Sequence, residues 1–340
     1  MIDIRDLTLD ELRAEMTALG EPAYRAVQAF SRLYKNGALR FDQFTEFPLP
    51  LRDTMAERFV IGRLELEGVF EARDQTRKYL FRLADGEFIE SVLIPAPHRQ
   101  TVCLSTQVGC KFGCAFCASG RRGFVRNLTP SEITGQVLYL RDILDIELTN
   151  VVFMGMGEPL DNLINLEKAV RIFNASAGLG LAARRMTVST SGLAPGIERL
   201  SEMGLQINLS ISLHAATDAQ RSRLMPVNKK YPLEVLLRAG KDYEAKGGRL
   251  ITFEYVLLSG VNDATGDAGR LARMARRLRA KINLIPFSPV PGLEFAPPSE
   301  AAQRRFLQAL EKAGARATLR QSKGKDIQAA CGQLAGRARG

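Results

Sequence analysis

At 340 residues the chain can bury a substantial core and divide into one large domain and a smaller one. Its 46% hydrophobic and 25% charged content is that of a soluble globular protein, and no apolar run approaches the roughly 18 residues of a membrane helix, which argues against a helical membrane protein. The net charge of +10 points to an anionic partner, of which nucleic acid is the commonest large one. The opening MIDIRDLTLDEL is acidic and lacks the apolar core of a signal peptide, so a cytoplasmic location is expected.

Residues 1 to about 55 read as a helical unit. LTLDELRAEMTALG and PAYRAVQAFSRLYKNG carry apolar residues at helical spacing and end at Gly20 and Gly37, after which Pro48 and Pro50 break the pattern. Over 56–98 the period becomes two, in RLELEGVFEA, RKYLFRLA and EFIESVLIP, which predicts a short antiparallel β extension. From 99 to 340 the apolar segments TVCLST, VVFMG, MTVSTS, INLSISLH, ITFEYVLL and KINLIPF alternate with helical patterns. Such alternation predicts parallel strands joined by crossover helices, and six units fit an incomplete (β/α)6 barrel better than a closed barrel of eight. A last helix, EAAQRRFLQALEKAG, and a strand, ATLRQS, lead into a glycine-containing tail around Cys331. The expected fold class is α/β: a partial barrel with a helical amino-terminal accessory domain and a β extension.

Five cysteines without a secretory signal argue for metal or redox chemistry over a disulfide scaffold. Cys110, Cys114 and Cys117 form a C-x-x-x-C-x-x-C triplet in QVGCKFGCAFCASG. Three thiolates on one loop can each hold one iron of a [4Fe-4S] cube and leave the fourth iron open to a small molecule. A structural zinc site needs a fourth ligand, and only His98 or Cys103 is near in sequence, in no familiar spacing. Buried structural thiols are the other alternative; Gly109, Gly113 and Gly120 favour a loop wrapped around a cluster. The spacing resembles the radical S-adenosylmethionine (SAM) superfamily, in which the open iron chelates SAM.

In a β/α barrel, site residues gather at the carboxyl ends of strands. The segment Gly155-Met156-Gly157-Glu158-Pro159 follows one strand; Ser189 and Ser191 lie at the end of another, and Ser212 and His214 at a third. Glu158 can accept from an ammonium group, and the hydroxyls and imidazole can hydrogen-bond a ribose or carboxylate. Each also has an ordinary explanation as a tight turn or a satisfied strand residue. Cys331, between small residues and Gly332, suits an accessible reactive thiol, with a buried structural cysteine as the alternative.

The motifs QVGC-x-x-x-C-x-x-C, GMGEPL, TVSTSG, SLHA, MPVNKKYP, NLIPF and DIQAACGQL, in this order over nearly the whole chain, resemble the RlmN family of radical-SAM RNA methyltransferases. The resemblance implies methylation of carbon 2 of an adenosine in 23S rRNA and in tRNA. It implies a [4Fe-4S] cluster on Cys110, Cys114 and Cys117, SAM as cofactor, and an electron donor such as flavodoxin or ferredoxin. Cys331 is then expected to take a methyl group from one SAM, and a radical generated from a second SAM activates that methyl carbon for addition to the adenine. Cys103 is expected to resolve the resulting protein–RNA link through a transient disulfide with Cys331, and Glu90 to act as the base that removes the ring proton. On strand pattern alone, Glu90 would be exposed.

For SAM binding the resemblance implies Gly157, Glu158, Ser189, Ser212, His214 and, where Asn is usual, Ser288. Lys323 stands where Arg is usual, keeping charge but losing bidentate geometry. Arg121, Arg122, Arg126, Lys229, Lys230, Lys323 and Lys325 are candidate RNA contacts, whereas the arginines of RLARMARRLRAK read as a solvated helix face. The nearest alternative is a Cfr-type enzyme methylating carbon 8, although GMGEPL, STSG and SLHA resemble the RlmN forms. A radical-SAM activase and an Fe-S electron-transfer or RNA-binding protein are the rivals from other classes.

Overall fold

The computed structural model describes residues 1–336, organised by a ten-stranded mixed sheet. Across it run Arg316–Leu319, Lys281–Pro286, Ile251–Leu257, Asn208–Ser212, Met186–Thr190, Asn150–Phe153, Arg99–Cys103, Phe88–Ala96, Arg77–Arg82 and Glu65–Glu71. Neighbours from Arg316–Leu319 to Arg99–Cys103 pair in parallel, and the rest are antiparallel. The incomplete barrel is thus present, with Arg316–Leu319 adding a parallel strand beyond the six expected units. The β meander is continuous with it, because Phe88–Ala96 pairs directly with the first barrel strand.

Side-chain alternation sets the character of the two sheet faces. Leu209 and Ile211, Phe253 and Tyr255, and Ile282 and Leu284 point one way and join the main apolar core under the crossover helices. Ser210 and Ser212, Glu254 and Asn283 occupy the intervening positions. One face is therefore greasy and helix-covered, and the other lines the barrel interior with polar groups. The crossover helix Pro130–Leu138 starts where Thr129 and Glu132 form a reciprocal capping box with Pro130 in the first turn, satisfying amides the helix leaves open.

The amino-terminal unit contains Leu9–Ala18 and Tyr24–Tyr34, as the periodicity predicts, and a further helix, Leu49–Arg58. This corrects the reading of Pro48 and Pro50 as breakers: Pro48 is the cap and Pro50 lies in the first turn, where a missing N–H costs nothing. Phe30, Leu33, Phe44, Met55 and Phe59 form the unit's own core, which includes Leu138 and Ile172 from two barrel helices. Burying each such side chain stabilises by about 1.5–3 kcal/mol. Polar ties fix the docking: Ser131 N donates to Asp6 at 2.8 Å and Ser31 Oγ to the Ala177 carbonyl at 2.9 Å. Among the described residues, no helix is long and apolar enough to cross a membrane.

Candidate active site

Two short antiparallel strands that periodicity did not reveal, Gln107–Gly109 and Phe124–Asn127, bracket the cysteine loop. They close its neck, where Cys110 N donates to the Gly123 carbonyl at 3.0 Å. Gly109 has φ +73°, and a Cβ there would lie 1.7 Å from the Gly123 oxygen, so the neck demands glycine. Within the loop Cys117 N donates to the Cys114 carbonyl at 3.1 Å, and Ala118–Arg122 forms a helical turn. Burial pushes the Cys110 thiol up to about 12 and Cys114 well above its ordinary value; Glu158 and Cys117 raise Cys110 further, and Cys117 and Cys110 raise Cys114.

Among the described residues no three His, Cys, Asp or Glu side chains converge on a single-ion site. A cubane asks for the other arrangement, neighbouring thiolates each on its own iron, and the triplet fits that donor set. A zinc site does not fit: His98 is exposed in the hairpin turn before Arg99–Cys103, at the far end of that strand from Cys103.

Beneath this loop the strand ends carry the polar groups. Glu158 is buried; its carboxylate accepts from Ser191 N at 2.6 Å and Leu160 N at 3.2 Å, while desolvation raises its proton affinity. The neighbouring glycines are used by the protein itself. A Cβ at Gly155 would strike the Leu104 carbonyl at 2.6 Å, and one at Gly157 the Gln107 side chain at 2.5 Å.

His214 is buried with φ +53°. Its Nδ1 accepts from Val256 N at 3.0 Å, leaving the ring proton on Nε2, and the ring stands edge-on to Phe116 with centroids 4.8 Å apart. Burial, aided by the charge of Arg221, holds it down at about 3, so the imidazole is neutral near pH 7. Ser189 pairs in register with Ser210, and Ser212 with Glu254; Ser288 is buried after the Lys281–Pro286 strand. Ser191 Oγ, Thr106 Oγ1 and Glu254 Oε2 are buried without a protein partner, as suits a lining that receives a polar ligand.

Arg221 is a residue that spacing did not single out. Fully buried, it donates to the carbonyls of Ser191, Ser212 and Leu213 and to Asn228 Oδ1, tying two strand ends together close enough to Cys114 to act on its thiol. The signal available in the sequence was Gly192, where a Cβ would lie 2.9 Å from the guanidinium.

The tail brings the remaining cysteines to this site. Cys331 is an exposed residue whose thiol turns in toward the site: desolvation raises the thiol, Glu254 and Cys117 raise it further, and Arg320 opposes them. Ala118 N donates to the Gly332 carbonyl at 2.8 Å and Ser119 Oγ to that of Leu334, laying the tail on the cysteine loop. Cys103 is buried at the end of its strand, packed with tail residues Ala329 and Leu334, and its thiol feels that of Cys331. Separated by most of the barrel in sequence, the two thiols are neighbours in space.

Glu90 contradicts the exposure expected from strand pattern. It is 5% exposed because the tail covers it: Ala335 N and Gly336 N donate to Oε2 at 2.8 and 2.9 Å, and Lys78 Nζ lies 3.0 Å from Oε1.

The basic residues divide. Arg122 turns inward to Glu87 at 2.9 Å and to the carbonyls of Phe88 and Ala335, and Arg126 pairs with Glu132 and Asp85. Arg121 donates to the Gly292 carbonyl at 2.6 Å. Arg122 is thereby turned to the protein's own contacts, whereas Arg121 is exposed and Arg126 is half-buried. Lys229, Lys230 and Lys325 are exposed, Lys323 lies 3.7 Å from Asp74, and the arginines of Thr265–Arg277 form a solvated face as expected.

Comparison with known proteins agrees with this arrangement. Residues 104–272 match the radical SAM superfamily, and residues 2–61 match the ribosomal RNA large subunit methyltransferase N-terminal domain. A protein of Syntrophus aciditrophicus named dual-specificity RNA methyltransferase RlmN is 49% identical over 99% of this chain and 97% of its own. One of the same name from Geobacter sulfurreducens is 47% identical over 99% of this chain and 93% of its own. The crystal structure of a radical SAM methyltransferase from Sphaerobacter thermophilus superposes with a TM-score of 0.92 at 45% identity, covering 98% of this chain and 99% of that one.

Proposed function

The chain belongs to the RlmN family of radical-SAM enzymes, and from that premise we propose that it methylates carbon 2 of an adenosine in 23S rRNA and in tRNA. Cys110, Cys114 and Cys117 would each hold one iron of a [4Fe-4S] cluster. When bound, the cluster supplies the electron that opens the sulfonium bond of SAM. Glu158 offers carboxylate lone pairs to the amino group of SAM, and Ser189, Ser212 and neutral His214 offer hydrogen bonds to its ribose and carboxylate. Ser288, buried where the family commonly has Asn, is a further candidate contact with a shorter reach.

Cys331 carries the methyl carbon to the base. Glu90 takes the ring proton, and the Cys103 thiolate then attacks the Cys331 sulfur: an S–S bond forms as the sulfur–carbon bond to RNA breaks, and the electron pair stays with the carbon, which takes up a proton to become the methyl group. The two protein cysteines end oxidised as a disulfide and the RNA is released. Arg121, Arg126, Lys229, Lys230, Lys323 and Lys325 are the candidate phosphate contacts, and a flavodoxin or ferredoxin the electron donor.

The observation that carries this reading is the placement of the Cys331 turn on the cysteine loop and against Cys103, through Gly332, Ala329 and Leu334. An electron-transfer protein has no use for a free thiol held there. The test is anaerobic reconstitution followed by assay on protein-free rRNA and on tRNA, with the methyl position mapped by mass spectrometry. Methyl at carbon 2 supports the proposal, methyl at carbon 8 makes the enzyme Cfr-type, and no RNA product removes it.

A further inference from the structure

Lys78 and Glu90 form a buried ion pair, their side chains 10% and 7% exposed, on two paired strands where Lys78 stands opposite Val92 and Glu90 opposite Leu80. Such a pair adds little stability over apolar side chains of similar volume, because desolvating two charges offsets their attraction. The remaining hydrogen-bonding capacity of both groups is directed at the tail. Lys78 Nζ also donates to the Gln328 carbonyl at 3.3 Å, and Glu90 Oε2 accepts from Ala335 N and Gly336 N.

One partner therefore holds the chain just before Cys331, and the other holds it just after. The segment 328–336 is a loop whose two ends meet at this ion pair, with Arg122 also donating to the Ala335 carbonyl at 2.7 Å and the reactive thiol inside the loop. The neck is tight: Gly336 has φ +66°, and a Cβ there would meet the Arg122 guanidinium at 2.2 Å and the Phe88 carbonyl at 2.9 Å. Gln328 has φ +54°.

The same geometry constrains Glu90. A carboxylate offers about four lone-pair positions, and here Lys78 and the two tail amides face it. While residues 335–336 are docked, the carboxylate is turned to the protein's own backbone.

We propose that Lys78 is a positioning residue that, with Glu90, clasps both ends of the 328–336 segment and holds Cys331 over the cysteine loop while the thiol receives its methyl group. The clasp opens at Ala335 and Gly336 when Glu90 turns to the RNA base. The proposal rests on the reading of Cys331 as methyl carrier and Glu90 as base.

The experiment uses the full-length, cluster-loaded enzyme and two readouts. The first is hydrogen exchange of the 328–336 amides by mass spectrometry, without SAM; the second is the rate at which Cys331 gains a methyl in a single turnover. Lys78→Met is expected to speed exchange at 335–336 and slow thiol methylation, each by about tenfold, the size expected for losing a charge-assisted hydrogen bond. Lys78→Arg, which keeps a charged donor, is expected to restore most of both.

Unchanged exchange and methylation in Lys78→Met would overturn the clasp. Faster exchange throughout Arg77–Arg82 that Lys78→Arg does not rescue would overturn it too, since the residue would then be structural. Glu90→Gln separates the underlying reading: if that variant releases methylated RNA at the normal rate, the base assignment fails while the Lys78 exchange result stands.

Discussion

The amino-terminal helical unit and the tail hold themselves in place by different physics. The helical unit buries Phe30, Leu33, Phe44 and Met55 in a core of its own, and its first helix carries a reciprocal cap between Thr8 and Glu11. Among the described residues, the tail beyond Arg316–Leu319 contains a single short 3-10 turn, Lys325–Ile327, and is fixed by individual hydrogen bonds to Lys78, Glu90, Ala118, Ser119 and Arg122. Cohesion by apolar area is lost all at once, whereas cohesion by separate polar contacts can be released stepwise. A segment that must carry a carbon atom between two partners needs the second kind.

Substitutions can break this contrast from either side. The largest effect is expected from Cys331→Ala: methylated RNA is lost entirely while the cluster still assembles, because the thiol lies outside the triplet. Iron content and product formation, measured on the same sample, check it. Phe30→Ala, at a fully buried ring 4.6 Å from Tyr34, should destabilise the chain by about 3–5 kcal/mol in denaturant unfolding, with the tail's exchange pattern kept.

A smaller effect is expected from pH. His214 has a folded value of about 3, below its unfolded value, so burial of the neutral ring contributes stability that is fully present above about 6.5 and lost as pH falls toward 3. His214→Asn offers an oxygen for the Val256 amide and tolerates the positive φ. Denaturation midpoints at pH 7.5 and pH 5 should diverge less in this variant than in the parent. The helical unit contains no histidine, so this slope belongs to the barrel. The smallest effect is the Thr8→Ala cap change, about 1 kcal/mol in the same unfolding measurement.

Much of this architecture is legible in the chain. The switch from period 3.6 to period 2 near residue 60, and then to alternating strand and helix, marks the helical unit, the meander and the barrel. The cysteine triplet and strand-end residues are legible because their chemistry is tied to short spacings. Pro48 and Pro50 misled because proline breaks a helix interior but opens a first turn, and only the flanking Leu49–Arg58 register distinguishes the two.

Glu90 and Arg122 misled for another reason. Their burial is created by residues 332–336, far along the chain, and periodicity within one strand carries no information about a distant segment that covers it. Arg221 left only a faint trace, Gly192 beside its guanidinium: its partners include carbonyls of Ser191, Ser212 and Leu213, and a backbone acceptor leaves no mark in residue type.

The central claim is that the tail thiol is the intermediate station of the transferred carbon. It is tested most directly by incubating the anaerobically reconstituted enzyme with SAM and reductant, without RNA, and determining the mass of the peptide that contains Cys331. The account predicts that this peptide gains one methyl group on sulfur and loses it when RNA is added. RNA methylated by enzyme whose Cys331 never carries a methyl group would contradict it.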